Sequence, residues 1–378
     1  MLGRKERELA IDLPLDRVLA WRVRRQLLDR PRGTDALTVA RRLCGVQAQV
    51  PSSADHAVAI RLPRPRRNTT DAALAAGQLV RTWAMRGTLH LLAADELGDY
   101  LALLAAARTW TKGSWQKSFV TLDQLAAMSE AVQVALDGAA LTREELTAAI
   151  VRAAKDESLA EHLRSGWGAV LKPLAWQGLL VNGPSDGGRV TFAAPKDVVP
   201  AWRGLSDVDE AAARVVPTYL AAYGPAAPAT FDAWLLRNST PKKRLAGWFE
   251  SSALTKVTID GRPAYARAED VDDIAATPPN RAVRLLDAFD QYVLGPGTNN
   301  PEILDPSRRA LISKAAGWIS PVVLVGGRVG GVWEVDGDQL AVTAFSEEAA
   351  IDEDGLRAEA ARVSSYLERE LRVAVSVA

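Results

Sequence analysis

Apolar residues recur every three or four positions in three separated stretches of the chain, a spacing typical of amphipathic helices. These stretches are TDALTVARRL from residue 34, LTREELTAAIVRAA from residue 141 and APATFDAWLL from residue 227. A second helical stretch follows each one, and then short runs rich in β-branched and aromatic residues. The recurring order predicts three tandem units, each made of helix, turn, helix and hairpin.

Local turn and cap signals support these units. Thr142 and Glu145 have the spacing of a capping box, which predicts that a helix begins there. Residues 179–193, LLVNGPSDGGRVTFA, read as two strands around a turn. Asp260-Gly261 lies between two β-rich runs and predicts a hairpin with a type I′ turn.

The pattern changes after about residue 275. RAVRLLDAFDQYVLGPG and WISPVVLVGGRVGGVWEV are β-rich, with Gly326-Gly327 as a turn, and an acidic helix and a last strand close the chain. DQYVLG reads as a strand, so Gly295-Pro296-Gly297 is interpreted as a loop after a strand. We therefore predict a fourth, α+β unit.

Helix, turn, helix and hairpin is the winged-helix order, in which one helix can enter a DNA groove. The predicted fold class is α+β, with three tandem winged-helix units and a C-terminal α+β unit. The predicted boundaries are 1–115, with a basic N-terminal segment, then 116–205, 206–275 and 276–378. Winged helices also bind proteins, so the pattern alone leaves a protein-binding scaffold open.

Composition excludes several classes of protein. Hydrophobic residues make up 48% and charged residues 24%, an ordinary balance for a soluble globular chain, and no apolar run has the length of a membrane span. The N-terminus is charged where a signal peptide is apolar, so we expect a cytoplasmic protein. Cys44 has no second cysteine to pair with, and three scattered histidines give no metal-ligand spacing.

Charge is unevenly distributed although the whole chain has a net charge of zero. Residues 1–70 contain 15 Lys and Arg against 7 Asp and Glu, a net charge of +8 that the rest of the chain balances. Such a distribution can present a basic face to nucleic acid. An arginine-rich solvated surface explains the same numbers equally well.

The loop RLPRPRRN, residues 61–68, places four arginines between prolines. A stiff loop of this kind can bring arginines to DNA phosphates, whereas a solvated loop between helices is the alternative. The residues predicted to bind DNA here are Arg61, Arg64, Arg66 and Arg67.

Arg86, Thr88 and His90 alternate in VRTWAMRGTLHLL, so in one continuous strand they would share a face. We interpret that face as lining a DNA-binding cleft, with an exposed polar wing as the alternative. Trp115, in the polar context TKGSWQKS, is the tryptophan expected to be exposed and to stack on a base. Most other tryptophans are expected in the core.

Gln47 and Gln49 flank Ala48 just before Pro51, where the sequence also allows a simple helix end. Walker, dinucleotide-binding and G-x-S-x-G motifs are absent from the sequence. Gln47-Ala48-Gln49, TWAMRGTLH and LLDAFDQYVLG, in this order, resemble the AlkZ/AlkX (YcaQ) family of winged-helix DNA glycosylases over nearly the whole chain. LGPGTNN, residues 294–300, departs from the family's usual LLGY-x-D-R.

The resemblance implies that Gln47 and Gln49 form the catalytic Gln-x-Gln motif of the AlkZ type. It further implies a concave DNA channel, with Arg41 and Arg42 beside the motif among the DNA-binding residues. The implied substrates are bulky N7-alkylguanine adducts and interstrand crosslinks in double-stranded DNA, in general repair or self-resistance. We expect no metal and no cofactor, and a monomer suffices for a channel made within one chain.

Neutral amides suit this chemistry because alkylation at N7 makes guanine a cationic leaving group. The protein then needs only to place a water at C1′ and to tolerate positive charge on the sugar. A transcriptional regulator, with Gln47 and Gln49 reading or capping, would instead show a preferred duplex sequence and no base release. A protein-binding scaffold would show no DNA affinity.

Overall fold

The computed structural model describes residues 11–165, 168–200, 202–250, 253–345 and 351–378. Residues 1–10, the first part of the basic segment 1–70, therefore lie outside the described residues. Helices and small sheets alternate as predicted, and the α+β class is confirmed. Short 3₁₀ turns also occur, at Met85–Gly87, Ala94–Glu96, Thr109–Thr111, Ala268–Asp270, Pro306–Arg308 and Ala315–Gly317.

The first unit has the element order expected for a winged helix, and its strands pair in the order β2-β4-β3. Its elements, with the two that precede it, are β1 (Ile11–Leu13), α1 (Leu15–Arg25), α2 (Ala36–Arg42), β2 (Val46–Gln47), α3 (Pro51–Ala59), α4 (Asp71–Ala75), β3 (Leu79–Trp83), β4 (Leu89–Ala93), α5 (Leu97–Ala106) and α6 (Gly113–Ser118).

One strand prediction in this unit is wrong. Strand β3 ends at Trp83 and β4 begins at Leu89, so Arg86 and Thr88 belong to the hairpin turn and only His90 lies in a strand. Arg86 has a φ of 57° and Gly87 a φ of 71°, which reverses the chain between the two strands. The alternating direction of side chains along the strand therefore stops at the turn.

The second unit repeats the arrangement, with strand order β5-β7-β6. The capping box of Thr142 and Glu145 is confirmed at the start of its second long helix, and the predicted hairpin is confirmed as well. Its elements are α7 (Leu122–Ala135), β5 (Ala140–Thr142), α8 (Arg143–Ala154), α9 (Leu159–Arg164), α10 (Leu171–Trp176), β6 (Val181–Asn182), β7 (Thr191–Ala193) and α11 (Pro195–Val198).

The third unit contains the predicted Asp260-Gly261 hairpin, in which both residues have positive φ, 47° and 78°. Its elements are α12 (Val208–Tyr223), α13 (Pro228–Leu236), α14 (Lys242–Trp248), β8 (Leu254–Ile259), β9 (Arg262–Arg267) and α15 (Val271–Ala276). Strand β1 pairs in parallel with β8, and α1 packs on α15. The predicted first unit, residues 1–115, includes β1 and α1. In the structure these two elements share a core with the third unit.

The C-terminal unit is a five-stranded sheet in the order β10-β11-β12-β13-β14, covered by a long helix. Its elements are β10 (Val283–Leu286), α16 (Gln291–Leu294), α17 (Arg309–Ile312), β11 (Val322–Val325), β12 (Arg328–Asp336), β13 (Gln339–Ala344), α18 (Glu353–Leu367) and β14 (Arg372–Val377). The Gly326-Gly327 turn and the closing helix and strand are confirmed.

The prediction that DQYVLG is a strand is wrong. These residues form the single-turn helix α16, and the Asp290 carboxylate caps it by accepting from the Tyr292 N–H at 2.8 Å. A one-turn helix is too short to show helical periodicity, which explains the error. The Gly295-Pro296-Gly297 loop therefore follows a helix end.

Shared cores hold the units together. One apolar cluster runs through the first three units and includes Trp83, Phe192 and Tyr219. A second cluster joins α1 to the C-terminal unit through Leu19 and Tyr292. Because the units share these cores, side chains from all four can meet at one fixed place.

Candidate active site

The two glutamines lie between two helices, Gln47 on a short strand and Gln49 just after it. Helix α2 ends at Arg42, and Cys44 and Gly45, with φ of 54° and 97°, turn the chain into β2. Gln47 is the last residue of β2, and Pro51 is the first residue of α3. The helix-end interpretation of this stretch is therefore wrong, because Gln47 pairs with a strand.

Gln47 and Gln49 differ in their surroundings. Gln47 is only 6% exposed, and within the described structure its Oε1 is buried without a hydrogen-bond partner. Gln49 is exposed, and its Oε1 accepts from the Leu89 N–H at 3.4 Å. Both line one cleft of about 620 Å³. Gln47 thus lies at the wall of the cleft and Gln49 at its rim.

All four units contribute to this cleft. The first unit supplies the glutamines and the hairpin turn, the second supplies Lys172, and the third supplies Trp234 and Arg237. The C-terminal unit supplies Trp318 and the loop 295–299. The predicted placement of Arg86 and Thr88 beside the glutamines agrees with this lining, although they reach it from a turn.

Two tyrosines of α12 bond to the cleft loop at Gly295 and to the chain just before the glutamine motif. Tyr219 donates its hydroxyl hydrogen bond to the Gly295 carbonyl at 3.1 Å, and Tyr223 donates to the Leu43 carbonyl at 2.6 Å. A Cβ on Gly295 would lie 2.2 Å from the Tyr223 ring, so only glycine allows this contact. The loop that replaces the family's usual sequence is therefore anchored near the glutamine motif.

The polar lining of the cleft is cationic or neutral. Arg86 donates to the Leu294 carbonyl at 2.8 Å, and burial lowers its pKa to about 10. Burial, and then Arg237, lowers the pKa of Lys172 from its usual value. The described lining residues include no carboxylate. The cleft therefore attracts anions such as DNA phosphates.

Arg61 does not fit its predicted role in DNA binding. Its side chain is fully buried and donates to the Asp290 carboxylate at 2.7 and 2.8 Å, so it cannot contact a phosphate from this position. Arg64, Arg66 and Arg67 are exposed and remain predictions.

The other predicted residues vary in accessibility. Arg41 forms an ion pair with Asp95, and its Nε lies 3.7 Å from Glu96 Oε1. Arg42 is half-buried. Trp115 is half-buried against Phe119, with ring centroids 5.2 Å apart, and does not line the cleft.

His90 is fully buried, so a direct contact with DNA from this position is excluded. Burial lowers its pKa to about 3, and the imidazole is therefore neutral at ordinary pH.

Sequence reasoning missed Lys172, Arg237, Phe289 and Trp318. Trp318 is 45% exposed and packs edge-on against Phe289, with centroids 5.0 Å apart. Phe289 lies within LLDAFDQYVLG, but no local motif surrounds Lys172, Arg237 or Trp318. They meet only because the four units fold together.

Trp318 also borders a second cleft, of about 570 Å³. Its floor contains His56, whose Nδ1 lies 2.9 Å from an Asp287 oxygen and whose ring stacks on Tyr366 at 4.2 Å. Arg67 and Lys314 line it as well. The exposed indole thus separates two adjoining clefts.

Comparison with known proteins identifies the family. The family described as DNA glycosylase AlkZ-like matches residues 40–366, which is most of the chain. The chain belongs to the AlkZ-like DNA glycosylase family. It is therefore an enzyme, a DNA glycosylase, and neither a non-catalytic DNA-binding protein nor a protein-binding scaffold.

Comparisons with Streptomyces sahachiroi glycosylases support the membership. An interstrand DNA cross-link repair glycosylase is 46% identical over 351 residues, covering 92% of this chain and 95% of the relative. The solved structure of the DNA glycosylase AlkZ superposes with a TM-score of 0.93 at 44% identity, over 97% of this chain and all of that one.

No helix among the described residues has the length and hydropathy to cross a membrane. In the same part of the chain, no group of three or more His, Cys, Asp or Glu side chains is arranged to hold a metal ion.

Proposed function

We propose that this glycosylase hydrolyses the N-glycosidic bond of cationic N7-alkylguanines in double-stranded DNA, including bulky adducts and interstrand crosslinks. One observation carries the proposal. Two neutral amides, Gln47 and Gln49, line a cleft whose charged groups, among the described residues, are the cations Arg86, Lys172 and Arg237. The described lining offers no carboxylate to assist the excision of an uncharged base.

The substrate supplies the missing activation. In an N7-alkylguanine the C1′–N9 bond breaks with its electron pair moving to N9, and the imidazolium charge of the base is neutralised. Water oxygen forms the new bond at C1′ and loses one proton to solvent. The products are the neutral alkylguanine and an abasic sugar.

The glutamines place the water and stabilise the sugar. An amide carbonyl accepts a hydrogen bond from the attacking water, and its dipole favours positive charge developing at C1′. Gln47 is buried at the wall of the cleft, where the surrounding chain limits the movement of its side chain, as water positioning requires. Gln49 is exposed at the rim, where it can contact the sugar or a phosphate oxygen.

The cations serve the DNA backbone. Arg237 is exposed and Lys172 is half-buried beside it, and each can neutralise a phosphate that flanks the lesion. Double-stranded DNA is therefore the proposed partner. Since one chain supplies all the lining residues described, a monomer suffices.

The shape of the site supports bulky substrates. A snug pocket would have to flip the whole adduct, which crosslinked bases do not allow. The glutamine cleft adjoins a second cleft across Trp318, leaving room for a large substituent. The relative named for interstrand cross-link repair supports the extension to crosslinks.

The test measures base release under single-turnover conditions. Duplex DNA carrying N7-alkylguanine is incubated with enzyme, and abasic sites are then cleaved with alkali. We expect Gln47→Ala and Gln49→Ala each to slow release by about 100-fold while DNA binding is kept. Gln133→Ala, at a solvent-exposed glutamine on α7, is the matched control. Wild-type rates in both cleft variants would contradict the assignment.

A further inference from the structure

His90 lies beside Gln47, on the neighbouring strand of the same sheet. The two residues face each other across the antiparallel strands β2 and β4. One position along, the Ala48 N–H donates to the Leu89 carbonyl at 2.7 Å, which makes Gln47 and His90 a non-hydrogen-bonded pair. In such a pair the Cα atoms are about 4.5 Å apart and both side chains leave the same face.

The protonation of His90 is fixed by its neighbour. Nδ1 lies 3.0 Å from the Thr88 carbonyl, which can only accept, so Nδ1 carries the hydrogen. The ring is neutral in its buried position, which leaves Nε2 as a bare acceptor. Nε2 is buried and has no hydrogen-bond partner among the described residues.

The Gln47 side chain also has a polar atom without a hydrogen-bond partner. With its oxygen turned inward, Oε1 is also buried and unpartnered, so two acceptors lie on neighbouring positions of one face. An unpaired buried polar atom costs about 1–3 kcal/mol. Rotating the amide by half a turn exchanges its oxygen and nitrogen, presents the NH₂ to His90, and faces the carbonyl into the cleft.

We propose that His90 is a positioning residue, whose Nε2 accepts a hydrogen bond from the Gln47 NH₂ and turns the Gln47 carbonyl towards the attacking water. The inference rests on the proposed role of Gln47 in hydrolysis. It explains how a neutral amide presents its acceptor end to the reaction. His90 itself touches neither DNA nor water in this scheme.

Thr82 is the competing donor. It faces His90 from β3 on the other side, and its Oγ1 is likewise buried and unpartnered. If its hydroxyl bonded to His90 Nε2, the Gln47 amide would be free to rotate. The variant Thr82→Val removes the hydroxyl and keeps the shape, and we expect it to react at the wild-type rate.

Two substitutions of His90 separate positioning from structural support. His90→Asn keeps a donor near the Nδ1 position for the Thr88 carbonyl and removes the acceptor at the Nε2 position. His90→Gln keeps an acceptor near the Nε2 position and removes the donor near the Nδ1 position. We expect His90→Asn to slow single-turnover release at least tenfold with DNA affinity unchanged, and His90→Gln to stay within about threefold of wild type. The opposite order, or wild-type rates in both, would overturn the proposal.

Nitrogen NMR of ¹⁵N-histidine-labelled enzyme tests the contact without any activity measurement. The His90 Nε2 resonance in wild type is expected at the position of a hydrogen-bonded acceptor, and Gln47→Ala is expected to move it towards that of a free imine nitrogen. An unmoved resonance would refute the hydrogen bond even if the His90 variants failed to fold. If the wild-type enzyme released no alkylguanine, the proposed function would be wrong. The Nε2 resonance would still show whether His90 and Gln47 are hydrogen-bonded.

Discussion

Arg61 and Asp290 form a fully buried ion pair that joins the first unit to the C-terminal unit. The guanidinium donates to both carboxylate oxygens, at 2.7 and 2.8 Å, and also to the carbonyls of Gln26 and Ala57. Asp290 in turn caps α16, the helix that precedes the Gly295 loop. The pair therefore fixes one wall of the cleft relative to α3, which begins just after Gln49.

Removing one partner of this pair is expected to destabilise the protein strongly. Arg61→Met would leave the Asp290 carboxylate buried without its cation, which typically costs about 3–5 kcal/mol. Urea denaturation measures the change in the free energy of unfolding. Arg64→Met, in the same loop but exposed, is the control and is expected to change it by less than about 0.5 kcal/mol. Equal effects of the two substitutions would disprove the structural role of Arg61.

Arg237 and Lys172 are expected to contribute electrostatic affinity for DNA. Replacing each by Gln should weaken DNA binding by a similar factor for all DNA sequences. It should also reduce the magnitude of the slope of log K against log salt by about one unit for each phosphate that is no longer neutralised. Fluorescence anisotropy at several salt concentrations gives the slope. Arg357→Gln, on the outer face of α18 and paired with Glu353 and Asp354, is the control. A slope unchanged in the Arg237 and Lys172 variants would place the DNA elsewhere.

The elements of the fold that depend on neighbours in sequence could be predicted. The capping box at Thr142 and the turn at Asp260-Gly261 are examples, because each signal spans only a few residues. The burial of Arg61 could not be predicted, since its partner is 229 positions away. Its basic, proline-rich surroundings indicate a surface loop, which is correct for the neighbouring arginines.

In the candidate site, too, local sequence signals could be read and contacts between distant residues could not. The Gln47 and Gln49 pair could be singled out only through the family resemblance, since its local sequence equally allows a helix end. Lys172, Arg237 and Trp318 come from three different units and carry no shared motif. Their convergence depends on how the units pack, which the sequence pattern does not show.

Trp318 is expected to select for bulky adducts. Its half-exposed indole separates the two clefts and offers a face on which an aromatic substituent can stack, an interaction worth about 1–3 kcal/mol. Trp318→Ala should slow release of a bulky aromatic N7 adduct by about tenfold and leave release of N7-methylguanine nearly unchanged.

Single-turnover rates on the two substrates test this selectivity. Trp115→Ala, at a half-buried tryptophan outside the cleft, is the control and is expected to affect neither rate. If Trp115 instead stacks on a base, as the sequence predicts, Trp115→Ala would slow release of both substrates. Equal losses on both substrates with Trp318→Ala would assign Trp318 to packing with Phe289.

The buried, neutral His90 predicts a specific dependence of stability on pH. Its pKa is about 3 in the folded chain, because burial disfavours the charged ring, and about 6.5 when the chain unfolds. Above pH 6.5 the ring is neutral in both states and its contribution to stability is complete. Between pH 6.5 and 3 only the unfolded chain takes up the proton, so stability falls by about 1.4 kcal/mol per pH unit.

At pH 5 this loss amounts to about 2 kcal/mol relative to pH 7.5. The comparison must be with a variant that keeps every other ionisable group of the chain. His90→Asn does so, and its free energy of unfolding should fall about 2 kcal/mol less than that of wild type between pH 7.5 and pH 5. Urea denaturation at both pH values measures the difference. Parallel losses in the two proteins would mean that the folded chain also protonates His90 by pH 5, where its Nε2 could no longer accept from Gln47.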